Sequence, residues 1–212
     1  MPFATDRDLL ILEPTLYRDI AWAGQRRINV TDAVVVGAVL TSATADFIAA
    51  DIKPGHVALL NATALEVVSR DSATQLTVSL IRDDTADVPL APPAATAAAL
   101  VITTFGPQIT TIHDQLLRAL GIEPADPTAT PNQNNITNPQ AVAHLESLGA
   151  LHLVFAAAAA LATNQDTLWA KAQNYRDRFV ANRNRLAVGV DLDNDGLPDA
   201  TRRLNTIQFI RA

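Results

Sequence analysis

Asp191, Asp193, Asp195 and Asp199 surround Gly196 near the end of the chain, and no other stretch gathers so many groups able to do chemistry. Three carboxylates at alternate positions can converge on one cation while a glycine allows the sharp turn between them, which is how a calcium loop begins. The twelfth position of such a loop calls for a bidentate glutamate, and here it is Arg202. The same residues also suit an Asp/Asn/Gly turn whose carboxylates bond their own backbone amides, or pair with Arg202, Arg203 or arginines of a neighbouring subunit. Asp191, Asp193, Asp195 and Asp199 are therefore the candidate metal ligands, calcium is the ion they would take, and no other cofactor is expected.

Base is concentrated in the same region. Residues 1 to 174 hold 9 basic and 17 acidic residues, whereas residues 175 to 212 hold 7 basic residues, all arginine, and 5 acidic. Guanidinium is the better cation for bidentate, partly buried contacts with carboxylate or backbone. Arg176, Arg178, Arg183 and Arg185 fall away from the apolar stripe of their helix, so they read as a partner-binding face, with a solvated face as the plain alternative. Arginine- and alanine-rich coding would also produce such a composition. Ile207, Phe209 and Ile210, followed by Arg211, alternate with Gln208 in a way that suits an added strand or a strap on a partner. Exposing three large apolar side chains together is unfavourable, which favours a partner over a loose end.

Catalysis has little footing. His56, His113, His144 and His152 are scattered, and there is no His-Glu-x-x-His pair, glycine-flanked serine, phosphate loop or dinucleotide fingerprint. His113 and Asp114 adjoin in sequence, but neighbours on a helix point apart. His152 reads as a core-edge residue. Cysteine is absent, so thiol chemistry and thiolate metal sites are excluded. The acidic body, without interleaved basic and aromatic residues, argues against sequence-specific nucleic-acid recognition. The reading is non-enzymatic.

The chain has 212 residues, 49% of them apolar, enough to bury a core without staples. Charges through residues 2 to 20 exclude a signal peptide or span there, and the apolar run 148 to 162 is too short and alanine-rich for a bilayer, so no membrane partner is expected. Thr5 caps a helical entry over 5 to 24, with Pro14 opening a second piece. Strands are expected near 33 to 40, 56 to 60, 64 to 69, 74 to 81 and 99 to 104, which suits a small barrel or sandwich. Helical spacing resumes over 107 to 121, closed by Gly121. The proline- and asparagine-rich stretch 123 to 138 is an exposed excursion. A helix capped by Asn138 and Pro139 runs to about 162, and an antiparallel partner capped by Asp166 carries Leu168, Ala172, Tyr175, Phe179 and Leu186.

The segment 46 to 57 with 65 to 78, centred on Lys53-Pro54-Gly55-His56 and Ser72-Ala73-Thr74-Gln75-Leu76-Thr77, resembles a small β-module of tailed-phage virion proteins, with His56 where that pattern usually has aspartate. The layout as a whole, together with the Tyr175 to Arg185 helix and the tail, resembles the head-tail connector (adaptor) proteins of tailed phages. The expected class is α+β: a helical bundle from 1–27 and 105–190, an inserted β-module over 28–104, and an extended C-terminal arm over 191–212. The resemblance implies a virion structural protein at the neck, made in the host cytoplasm. It would form a homo-oligomeric ring, twelvefold by family likeness, touching the portal protein and the next neck or tail protein while DNA passes unread. The alternatives are a decoration or tail-terminator protein, a calcium-binding surface or adhesion module, and a hydrolase with an unrecognised site.

Overall fold

Thr5 starts the first helix as expected, its backbone N–H and hydroxyl both donating to the Asp8 carboxylate (2.7 and 2.9 Å) in a capping box. The computed structural model describes residues 1–126, 128–162 and 165–204. Among them the fold is mixed, with five α-helices and a closed six-stranded β-barrel. Two compact units divide the chain: Thr5–Gly106, and Met1–Ala4 with Pro107–Ala212.

The first unit contains helices α1 (Asp6–Leu12) and α2 (Leu16–Asp19), split at Pro14, and strands β1 (Gln25–Val36), β2 (Val39–Thr41), β3 (Val57–Leu60), β4 (Thr63–Arg70), β5 (Gln75–Ser79) and β6 (Ala95–Thr104). The strands close in the order β1-β2-β5-β4-β3-β6, every neighbour antiparallel. Closure leaves no free edge. Leu40, Phe47, Ile52, Leu65, Leu76, Val78, Leu100 and Ile102 fill the interior.

The expected strand over 33 to 40 is in fact a hairpin. Gly37, at φ +60°, takes the left-handed first position of a two-residue turn, and Val36 pairs with Val39 across it. The apolar run hid the turn, so six strands form where five were expected.

Residues 5 to 24 do not join the later helices, which corrects the expected grouping of 1–27 with 105–190. Their apolar face is satisfied inside the barrel unit instead: the Arg7 amide donates to the Gly55 carbonyl (2.9 Å), and Tyr17 lies against Phe105 with ring centroids 5.4 Å apart. Leu9, Leu16 and Tyr17 are fully buried there.

The second unit contains α3 (Gly106–Ala119), α4 (Pro139–Leu161), α5 (Gln165–Arg185), and strands β7 (Ala187–Val190) and β8 (Ala200–Arg203). Ile112, Leu116, Leu117, Leu145 and Val188 form its core, with Phe179, Leu186 and Leu204 packed against it. Gly121, at φ +70°, ends α3 as expected. Helix α4 is long and apolar enough by length and composition to cross a bilayer, and 61% of its most apolar window is buried within the protein. Its Gly149 lies where α3 and α5 come close, since a Cβ there would stand 2.8 Å from Ile112 and 3.0 Å from Phe179.

The extended arm expected over 191–212 is also corrected in its described part. β7 and β8 pair antiparallel as a hairpin, with Ala187 opposite Arg203 and Val190 opposite Ala200. Residues 205–212 lie outside the described residues, and with them the strap candidates Ile207, Phe209, Ile210 and Arg211.

Candidate functional site

The aspartate-rich segment is the loop of the β7–β8 hairpin, and its carboxylates are spent first on its own backbone. Asp191, 7% exposed, accepts the amides of Asn194 (2.7 Å) and Gly196 (2.8 Å) on its two oxygens. Asp199 accepts those of Leu192 and Asp193, Asp193 that of Asp195, and Asp195 that of Leu197. Gly196, at φ +86°, supplies the left-handed turn the loop requires.

The loop is anchored from below. The Asp191 amide donates to the Asn135 carbonyl (2.8 Å) and the Asn135 side-chain amide to Asn194 (3.0 Å). Asn138 makes no side-chain cap to α4; its amide and carbonyl instead bond Ala187 and Gly189 of β7.

Asp191, Asp193 and Asp195 still present carboxylate oxygens that lie within 4.8 Å of one another, close enough to share one cation. Asp199 is turned away toward Leu192 and Asp193. Arg202, at the twelfth position, sends its guanidinium to the Leu120 carbonyl at the end of α3, so it braces the hairpin and completes no metal shell. The turn of self-bonded carboxylates is thus present, and three of its carboxylates lie near one another within the same nine-residue segment.

Burial pushes the Asp191 carboxyl up, but the amides of Gly196, Asn194 and Asp195 more than offset this and hold it below the usual aspartate range. Its stabilising effect is therefore present above the unfolded-state pKa of about 4 and is lost as pH falls through the lower folded value. Asp191→Ala is expected to speed amide exchange at Asn194 and Gly196 roughly tenfold at neutral pH, read by hydrogen-exchange mass spectrometry. Unchanged exchange would show that the loop is held by other bonds.

The four arginines of α5 do not make one patch. Successive residues turn about 100° around a helix, and the packed face runs through Leu168, Ala172, Tyr175 and Phe179. Arg178 and Arg185 flank that face on one side, with Arg178 over the Tyr175 ring (5.3 Å from its centroid) and Arg185 in a shallow groove with His144 and Asn182. Arg176 and Arg183 flank it on the other side, beside Trp169 and Val180. Arg183 is half-buried and its Nε is enclosed without a hydrogen-bond partner, whereas Arg176, Arg178 and Arg185 are exposed. Arg203, on β8, is exposed.

The histidines stay apart, and sequence reasoning missed what two of them do. His113 is buried, its Nδ1 2.7 Å from Glu146 on α4 and its Nε2 3.1 Å from Gln133. The other Glu146 oxygen accepts the amides of Phe3 and Ala4 (2.9 and 2.8 Å), so this pair ties residues 1–4 to the helical unit. No spacing rule marks a contact between residues 33 apart.

His56 closes the Lys53–His56 turn, its Nδ1 accepting the Lys53 amide at 3.3 Å. Burial, then the charges of Arg27 and Lys53, pull its pKa down to about 4, so the ring is neutral at physiological pH. His152 is half-buried at the core edge, 3.1 Å from the Ala172 carbonyl, as its position suggested.

No protein-family model matches the chain, and comparison with curated proteins and with solved structures brings up no match.

Proposed function

We propose that this chain is a structural protein of the tailed-phage virion neck, a head-tail adaptor that assembles as a homo-oligomeric ring between the portal and the next neck protein and continues the DNA conduit. The observation that carries the reading is helix α5: packed along one face, it exposes arginine on both flanks, Arg176 on one and Arg178 with Arg185 on the other. A helix dressed on two sides suits a position between neighbours better than a free surface does. The β7–β8 hairpin supports it further. Leu204 packs on the helical core and Arg202 bonds the end of α3, so the segment that follows departs from a fixed point. In this reading residues 205–212, with Ile207, Phe209, Ile210 and Arg211, form the strap that grips the portal, and DNA passes without being read.

The test is the mass and shape of the full chain and of a variant ending at Leu204, each alone and mixed with a tailed-phage portal protein, by light scattering and negative-stain microscopy. Rings, formed alone or on the portal and weakened on the portal by the truncation, are expected. A monomer that ignores the portal with or without its last eight residues would overturn the reading.

One observation favours a second reading, a calcium-binding surface module: the Asp191, Asp193 and Asp195 oxygens already lie close together. A melting temperature that rises with millimolar calcium and not with magnesium, and loses that response in Asp193→Asn, would support it. A calcium-blind melt would remove it.

A further inference from the structure

The barrel unit carries an apolar surface at the end where β2 begins and β5 finishes. Val36 and Val39 face each other across the β1–β2 turn, 71% and 38% exposed. The Ala38 carbonyl accepts the Val78 amide, which brings the end of β5 beside that turn, and Leu80 then bridges Leu90. Leu90 and Val88 are 52% and 82% exposed. Single exposed apolar residues are ordinary, but a run of them strung along adjoining backbone marks a contact surface. The loop leaving Leu80 sets Asp83, Asp84 and Asp87 beside it, all exposed, and buried Arg82 pins that loop by bonding the Asp87 carbonyl (2.6 Å).

Helix α5 offers the counterpart. Trp169, Arg176 and Val180 recur at helical spacing on one flank, with Trp169 and Val180 51% and 36% exposed and Arg176 between them. One surface is apolar around acid and the other apolar around base. The acidic loop would repel nucleic acid and anionic lipid, which leaves a basic apolar protein surface as its match, and the chain itself carries one.

Resting on the ring assembly proposed above, we infer that copies join head to tail, the Val36–Val88 end of one barrel seating on the Trp169–Arg176–Val180 flank of α5 in a second copy. Because the two surfaces differ, the contact is heterologous, and repetition of it gives a ring when the rotation from copy to copy closes, as the proposed assembly requires.

Val88→Asp and Arg176→Glu test this in the full chain, both at exposed positions, with matching melts as a control that each variant folds. By sedimentation velocity the wild type should self-associate, and each variant should do so at least about tenfold more weakly. An equimolar mixture of the two should give a one-to-one complex and nothing larger, since Val88→Asp keeps the helix flank and Arg176→Glu keeps the barrel end. Variants that associate as the wild type does would overturn this docking and leave the ring reading standing. A mixture that stays monomeric, or a wild type monomeric at about 100 μM, would overturn the docking too; the adaptor reading would then stand or fall on assembly with the portal.

Discussion

Glu66→Gln should destabilise the barrel unit by about 3–5 kcal/mol, a large share of the stability of a domain of this size. Glu66 is 1% exposed on β4, and its two oxygens separately take the Nε–H groups of Arg7 on α1 and Arg82 after β5, both also buried. Arg7 bonds the Arg82 carbonyl as well. The carboxylate is the one anion shared by two enclosed guanidinium groups, so making it neutral leaves them facing each other without compensation. Chemical denaturation followed by circular dichroism would read the loss. A triple replacement of Arg7, Glu66 and Arg82 by apolar residues of similar volume should recover most of it, because desolvating the three charges is itself costly. A mild effect of Glu66→Gln alone would mean that water reaches the cluster.

Asp6→Asn should act in the opposite direction and only above mildly acid pH. Burial raises the Asp6 carboxyl from 3.8 to about 6, a shift only partly offset by the Thr104 hydroxyl, the Phe105 amide, Tyr17 and the Arg27 charge. The folded state therefore holds its proton more tightly than the unfolded one. That stabilisation is complete below 3.8, falls as pH rises through about 6, and is gone above it. At pH 7–8 the ionised side chain thus costs the fold up to about 3 kcal/mol. Asparagine keeps the oxygen that accepts the Phe105 amide (2.8 Å) and removes the charge from the second oxygen, which has no partner. The variant should melt several degrees higher than the wild type at pH 8 and equally at pH 4. An equal gain at both values would point to packing, and no gain at pH 8 would show that Asp6 is ionised at no cost.

Much of the fold could be read from local chemistry. The Thr5 cap, the break at Pro14, the Gly121 stop and the Pro139 start all act within one helical turn, and the structure places each as expected. The later strands show their apolar residues plainly. Strand β1 did not, because Arg26, Arg27, Asn29 and Asp32 interrupt it: it pairs along its length with β6 through three register shifts, and so exposes residues that a flat strand would alternate. The destination of α1 and α2 was illegible for another reason. An apolar stripe announces that it needs a cover without saying which, and the barrel supplied one.

The site shows the same division. That the aspartates form a turn was legible from their types and spacing. That Ala187–Val190 and Ala200–Arg203 pair to hold it was not, because each strand is only four residues long and their partners are one another. The splitting of the α5 arginines between two flanks follows from arithmetic on the helix once the packed face is known. The Arg7–Glu66–Arg82 cluster joins residues 59 and 16 positions apart, and nothing local distinguishes those charges from solvated ones.

The Asp6–Phe105 hydrogen bond joins the second and the next-to-last residue of the barrel unit. The chain therefore enters and leaves this module at one point. A protein wired this way can exchange the module without rerouting the rest of the chain: any closed domain whose own ends meet could be spliced between residues 4 and 107. The junction is a natural socket for grafting foreign domains, whether by recombination between genomes or at the bench.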